Sequence, residues 1–495
     1  MLSQKALDRR TRQNIALDDK DVPIAEQYID AVSVSEGITV KAKSKWLNAL
    51  HIRGSVEAIN SLKNLAFVNR IDFADRSLNT TGKVAAAQQV STRLKVLETQ
   101  AEFNYGTSAN QIEMLNGQLL HQQNFTGEGM TIAVLDAGFP NVNTTQPFKR
   151  LRDNNRIKGG YNFVNRTNDF YTGGTHGTMV LSTIGGYVNG KLVGTAPDAS
   201  YYLFVTEDPA SENPVEESYW VEAAEKADSL GVDVINTSLG YFIYDNIRYN
   251  HTYEEMDGQT AFISRGANVA FSKGIFCVVS AGNSGATENP YISVPADALG
   301  VLTIGSVDAN RNYSSFSSIG PSFDGRVKPD VMAKGSLATI ATEDGDIGAN
   351  NGTSFSSPIT TGLVACLWQA LPEKTNAELM DLIRHSADRY TAPTAQYGYG
   401  IPDFNQALKE GWVSSVEDVK FMVYPNPVDS NLYLLFPDKI TTAKVFLFNT
   451  IGQKVIERYV SAADGYIDVS ALPTGIYSYK IEAEGINNIG RIIKN

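Results

Sequence analysis

Two cysteines in 495 residues, Cys277 and Cys366, are too few for a disulfide-built scaffold. Both lie inside apolar runs, IFCVV and LVACLW, the usual setting of a buried free thiol. Those runs are themselves short. None approaches the roughly 20 residues a membrane helix needs, so no transmembrane segment is expected. Positive charge is scarce: 42 Lys plus Arg stand against 54 Asp plus Glu, a net charge of −12, which disfavours nucleic acid as a partner. No repeat recurs at solenoid spacing, and no GxGxxG or GxxxxGKS/T stands at a strand-to-helix turn, which argues against an α/β nucleotide-binding enzyme. The amino end, MLSQKALDRRTRQNIALDDKD, lacks the apolar core of a signal peptide. The sequence therefore belongs to a cytoplasmic protein or starts after an export signal.

What is present favours a large globular chain. Hydrophobic residues make up 42%, with 23 Tyr and 21 Phe to bury, and the length implies two or three separately packed units. Residues 1–100 read as a small α+β unit with a linker. GITVKAKSKWLNALHI alternates as strand material, Ser55 is placed to cap a helix over VEAINSLKNL, and FVNRIDF alternates again. The soft stretch RSLNTTGKVAAAQQVSTRLKVLETQ follows as the linker. Residues 104–412 interleave short β-branched runs (MTIAVLDAG, SYYLFV, DVINTSLG, GIFCVVSAGN, VLTIGSV) with helical stretches, the pattern of an α/β parallel sheet flanked by helices. Residues 419–495 hold seven turn-separated strand candidates and no helix, which fits an immunoglobulin-like β-sandwich. Through Leu97 the chain carries 15 basic against 10 acidic residues, and beyond it 27 against 44. A basic head and an acidic body are suited to dock on each other.

In a parallel α/β sheet, ligand chemistry gathers at the carboxyl ends of the strands. Three residues stand out there or at helix starts, and each alone has a plain structural explanation. Asp136 ends TIAVLDAG, where Asp-Ala-Gly is a common turn. His176 lies among glycines in GGTHGTMV, and a lone histidine is usually structural. Ser354 in NGTSFSSPITTG, with Pro358 expected in the first helical turn, resembles an ordinary helix cap. Together they supply the hydroxyl, the base and the orienting carboxylate that nucleophilic acyl transfer requires. Asn283, ending GIFCVVSAGN, adds an amide able to donate to an oxyanion, beside the amide and dipole of the Ser354 helix start.

AVLDAGF, THGTMV, SAGNSG and NGTSFSSP, in that order, with GRVKPDV before the last, resemble the motifs of the subtilisin-like serine proteases. The resemblance implies a subtilisin-like fold in which Ser354 is the nucleophile, His176 the general base, Asp136 its orienting partner, and Asn283 with the Ser354 amide the oxyanion hole. It implies further that Ser238, Leu239 and Gly240 of NTSLG pair with substrate backbone, and that Ser280, Ala281 and Gly282 form the opposite wall of the first specificity pocket. KWLNALHIRGSVEAINSLKNLAFVNRIDF is similar to subtilase inhibitory propeptides, implying a zymogen cut within or near residues 85–103. YPNPVDSNLYL, DVSALPTGIYSYKIEAEG and the terminal RIIKN resemble the sorting domains of the type IX secretion route, implying export to the surface or medium and contact with that machinery. The expected partners are then protein or peptide substrates and the chain's own propeptide.

Departures from the family pattern bear on specificity rather than on catalytic groups. Ala137 follows Asp136 where Ser or Thr is usual, and no calcium loop is evident between Asp136 and His176. No cofactor is expected for catalysis. The acidic TEDPASENPVEE could attract calcium or basic substrates, but Glu216 and Glu217 after Pro214 read more simply as the start of a helix. YFIYDNIRYNHTYEEMDG reads as an added aromatic loop, and His251 and His385 as surface residues. The rival reading is a catalytically silent adhesion protein built on the same fold.

Overall fold

A computed structural model describes residues 2–79, 103–413, 421–436, 440–462, 465–483 and 486–495. Most of the linker, and the expected maturation region apart from Phe103, lie outside the described residues.

The middle unit is built on seven parallel strands: β1 Thr131–Asp136, β2 Ile157–Asn162, β3 Ser200–Val205, β4 Val234–Thr237, β5 Phe276–Ser280, β6 Val301–Val307 and β7 Val331–Lys334. Their order across the sheet is β7-β6-β5-β4-β1-β3-β2. The helices used below are α1 Gln4–Arg12, α2 His176–Gly185, α3 Val215–Leu230, α4 Phe262–Ser272 and α5 Thr353–Ala370. Every residue of β1 is buried, because successive side chains point to opposite faces and both faces are covered. Ile132 and Val134 join the core with Val180 and Ile184 of α2 and Ile359 and Leu363 of α5. Ala133 and Leu135 join the other core with Trp220 of α3 and Ala267 of α4. Both cysteines are buried and unpaired.

Two of the strands escaped the sequence reading. β2 (IKGGYN) is a glycine-bearing edge strand, and β7 is four residues long and directly follows Pro329-Asp330, so neither has the β-branched run that marks the central strands.

In the N-terminal unit, Thr39–Ser44 pairs antiparallel with Ala49–Arg53, and the Ser55 hydroxyl caps Val56–Ser61 by accepting from the Ala58 N–H at 3.2 Å. FVNRIDF is not a strand, contrary to expectation. Among the described residues it has no ladder partner; Phe67 is exposed, while Ile71 packs on a small cluster with Val32, Ile38 and Leu62. The unit sits on α3. Glu225 accepts from the Ser44 hydroxyl (2.6 Å) and from the N–H groups of Lys45 (3.1 Å) and Trp46 (3.0 Å), and the Trp46 ring is buried.

Among the described residues the C-terminal unit holds seven antiparallel strands in sheets of three and four, enclosing a core that includes Leu432, Val445, Leu447, Ile467 and Ile481.

Candidate active site

Neighbouring strand ends assemble the site. Asp136 closes β1, Ser238 follows β4, and Ser280 closes β5, so three adjacent carboxyl ends open onto one region. α2 begins with His176 directly over Asp136. That approach depends on Gly177, where a Cβ would stand 2.9 Å from the Asp136 Cβ and 2.4 Å from the Gly138 carbonyl. His176 Nδ1 donates to Asp136 Oδ1 at 2.7 Å, and the same oxygen accepts the Ala137 N–H at 2.8 Å. Asp136 is wholly buried, whereas the His176 side chain is a third exposed. Burial opposes the imidazolium, but the Asp136 charge and its hydrogen bond outweigh that, and the His176 pKa is raised above the ordinary 6.5.

Ser354 is the second residue of α5, next to a cleft of about 270 Å³ lined also by Ser238, Leu239, Gly240, Ser280, Gly282 and Asn283. Ala281 is not part of that lining. It is buried, and its N–H donates to the Ile304 carbonyl at 2.9 Å. Among the described residues no hydrogen bond joins His176 to the Ser354 hydroxyl. The imidazole lies against the next residue, with 5.9 Å between the His176 and Phe355 ring centres.

Asn283 is oriented by a residue the sequence reading passed over. Its Oδ1 accepts from the Thr353 N–H (2.9 Å) and hydroxyl (3.0 Å), so its Nδ2 is the group left to donate toward the cleft. The Thr353 hydroxyl also accepts from the Gly282 N–H at 3.2 Å, tying the β5 turn to the start of α5. The only sequence signal was adjacency to Ser354. A second overlooked residue is Asn236 in β4. Its Nδ2 donates to the Ser238 hydroxyl (3.0 Å), and its Oδ1 accepts from Ser357 (3.0 Å) and Thr361 (2.9 Å). Pro358 is the sixth residue of α5, in its second turn rather than the first, because the helix starts at Thr353.

The added loop supplies Phe242 and Ile243 to the cleft and buries Tyr241, Tyr244, His251 and Met256, while Asp245 to Arg248 stay exposed. His251 is buried, not a surface residue: Nε2 faces Glu217 Oε1 at 2.9 Å and Nδ1 faces Glu255 Oε2 at 3.1 Å. A carboxylate on either side provides the polar partners that burial demands. Arg76 of the N-terminal unit enters the same cluster, 2.8 Å from His251 Nδ1 and paired with Glu255. His385 is exposed.

Among the described residues one carboxylate group could hold a cation: Glu207, Glu212 and Glu216, whose oxygens lie within 4.8 Å of one another. Glu216 already accepts from the N–H groups of Asp208 and Asn213, both at 2.8 Å, and Glu207 accepts from the Tyr241 hydroxyl. Burial raises the Glu216 pKa to about 7, against the lowering effect of those two N–H groups.

A family profile described as "Subtilase family" matches residues 127–400, over half of the chain. One described as "Peptidase S8 propeptide domain, Bacteroidota" matches residues 1–92, and a "Secretion system C-terminal sorting domain" matches 422–495. Subtilisin NAT of Bacillus subtilis subsp. natto is 31% identical over 301 residues, covering 60% of this chain and 70% of its own. Serine protease AprX of Bacillus subtilis (strain 168) is 29% identical over 324 residues, covering 59% and 68%. Among solved structures, MycP1 with the N-terminal propeptide removed aligns with a TM-score of 0.47 at 27% identity, over 60% of this chain and 96% of that one.

Proposed function

Because the chain belongs to the subtilase family and is a serine endopeptidase carrying a propeptide and a secretion sorting domain, we propose that it is made as a zymogen, exported by the type IX route, and cleaves peptide bonds through Ser354, His176 and Asp136. Its three units span about residues 1–100, 104–412 and 419–495. His176 Nε2 takes the Ser354 hydroxyl proton as the oxygen attacks a substrate carbonyl. Asn283 Nδ2 and the Ser354 N–H receive the oxyanion. The imidazolium then protonates the leaving amine, and water hydrolyses the acyl-enzyme by the reverse proton path. Leu239 and Gly240 pair with substrate backbone on one side of the cleft, and Ser280 and Gly282 wall the other. Phe242 and Ile243 add apolar surface, which favours substrates with apolar side chains there.

The observation that carries this reading is the 2.7 Å bond from His176 Nδ1 to Asp136, which fixes the tautomer leaving Nε2 as base. It is tested with a serine-directed fluorophosphonate on processed protein. Labelling is expected in the wild-type chain and not in Ser354→Ala. Persistent labelling of the variant would move the nucleophile elsewhere; no labelling of either after propeptide removal would favour a silent adhesion protein.

A further inference from the structure

The segment Ser3–Val22 docks at the pole opposite the cleft. α1 lies against the amino ends of β1 and β4: Lys5 Nζ donates to Thr131 Oγ1 (2.5 Å) and Asp233 Oδ2 (2.7 Å). Deeper in, Arg9 pairs with Asp228, and Arg10 reaches both oxygens of the same carboxylate at 2.8 Å. The pattern is then reversed, since Lys273 from the end of α4 donates to Asp18 (2.5 Å) and Asp21 (3.1 Å) of the segment. Gln13 bridges the two sides, donating to the Gly274 carbonyl (2.7 Å) and accepting the Asn376 N–H (3.1 Å). The side chains of Arg9 and Asp228 are 0% exposed and those of Arg10 and Lys273 at most 2%.

Charges so desolvated are tolerated only with partners, and here the partners come from two parts of the chain that maturation would separate. The surface is shaped for this segment. Gly231, at φ +79°, takes a backbone other residues rarely adopt, and a Cβ on it would lie 2.7 Å from the α1 backbone nitrogen of Ala6. The contact is also distinct from that of residues 26–79. Those sit on the flank of α3 through Glu225, while the segment grips the end of α3 and the turn beyond α4. Val22, where the two parts join, is 63% exposed. A contact at the amino ends of the strands cannot obstruct a cleft at their carboxyl ends, so inhibition does not explain it.

We propose that Ser3–Val22 remains on the protease unit after maturation as a non-covalent second chain, which staples the amino ends of the sheet while residues 26–79 are shed. This rests on the zymogen reading above and adds one hydrolysis of a peptide bond near residues 22–25 by the enzyme itself. The active particle is then two chains, and the acidic pocket at Asp228 is a permanent seat for a basic helix.

The affinity is read without relying on activity. The full Ser354→Ala chain is given recognition sequences for a site-specific protease at residues 22–25 and between 85 and 103, then cut and passed through gel filtration. The segment is expected to co-elute with the protease unit at about one copy each. Arg9→Gln/Arg10→Gln in the segment should weaken retention at least about ten-fold, since the pairing of both guanidinium groups with Asp228 is lost. A segment that elutes free, or a double variant held as tightly as the original, overturns the proposal. In parallel, intact mass of the self-activated wild-type particle should show the segment, and an active particle lacking it also overturns the proposal. A wild-type chain that never processes itself refutes the zymogen reading, while the gel-filtration result still reports whether the seat exists.

Discussion

The hydroxyl of Ser238 donates to the backbone carbonyl of Ser354 at 2.9 Å. In an uninterrupted helix that carbonyl would receive the N–H of the residue four positions on, which here is Pro358 and has none. The hydroxyl therefore replaces the missing donor, and Asn236 holds it in place. Ser238 thus supports the Ser354 backbone as well as lining the cleft. Ser238→Ala should leave a buried carbonyl unpaired at a cost of about 1–3 kcal/mol. A lowered Tm with a reduced kcat is the expected outcome. An unchanged Tm would show that another donor reaches the carbonyl.

The pH profile should follow His176. A base must be neutral to accept a proton, and Asp136 holds the imidazole pKa above 6.5. kcat/KM is therefore expected to rise with pH through a midpoint above that value. Asp136→Asn removes the charge, so the midpoint should move down, while turnover falls by something like 10⁴-fold because the tautomer is no longer enforced. A midpoint unmoved by the substitution would assign the titration to another group.

Asn283→Ala should reduce kcat by about 10²–10³, a range set by the equivalent donor in a subtilisin, with KM little changed because the lost bond forms chiefly in the transition state. Thr353→Val offers the sharper comparison. It removes one of the two donors that fix the Asn283 amide while leaving the amide itself, so the loss should be smaller and of the same kind. A Thr353→Val enzyme with a raised KM and unchanged kcat would contradict the orienting role.

The candidates picked out by side-chain type and neighbouring glycines are brought together in two pairs: Asp136 and His176 are bonded, and Ser354 shares the cleft with Asn283. Residues whose role depends on contacts across the sheet were not legible in the sequence. Thr353 and Asn236 look like ordinary polar residues in sequence, and only the meeting of β4, the β5 turn and α5 makes them organisers. His251 was misplaced for the same reason, since its partners Glu217 and Arg76 are 34 and 175 positions away. The seven C-terminal strands among the described residues and the five central ones were readable from alternation and β-branching, whereas β2 carries two adjacent glycines and β7 is four residues long with Val331 its one β-branched residue.

Arg76 and the His251 cluster should act as a latch on the propeptide unit. The guanidinium pairs with Glu255 and also donates to the Asn250 carbonyl at 3.2 Å. Arg76→Ala leaves the protease unit untouched and removes only the propeptide's side of this contact. The full-length chain should then activate with a shorter lag, and the mature enzyme should have unchanged kcat/KM. An unaltered lag would mean that release is governed elsewhere.

Release should also respond to acid through His51. Its Nδ1 lies 2.8 Å from the Ser218 hydroxyl of α3, and burial in the docked complex lowers its pKa to about 4 from 6.5. A group whose proton affinity falls on docking binds the proton more readily when free, so docking is strongest above pH 6.5 and weakens as pH falls toward 4. At about pH 5 the difference amounts to roughly thirty-fold in the dissociation constant. Propeptide dissociation from cleaved Ser354→Ala protein, followed by gel filtration across this range, should show that dependence. His51→Gln should flatten it, because Glu222 and Glu225, the α3 carboxyls that face residues 41–46, have pKa values raised by burial and respond in the opposite sense. A His51→Gln chain that still loses its propeptide as readily in acid would place the switch on another residue.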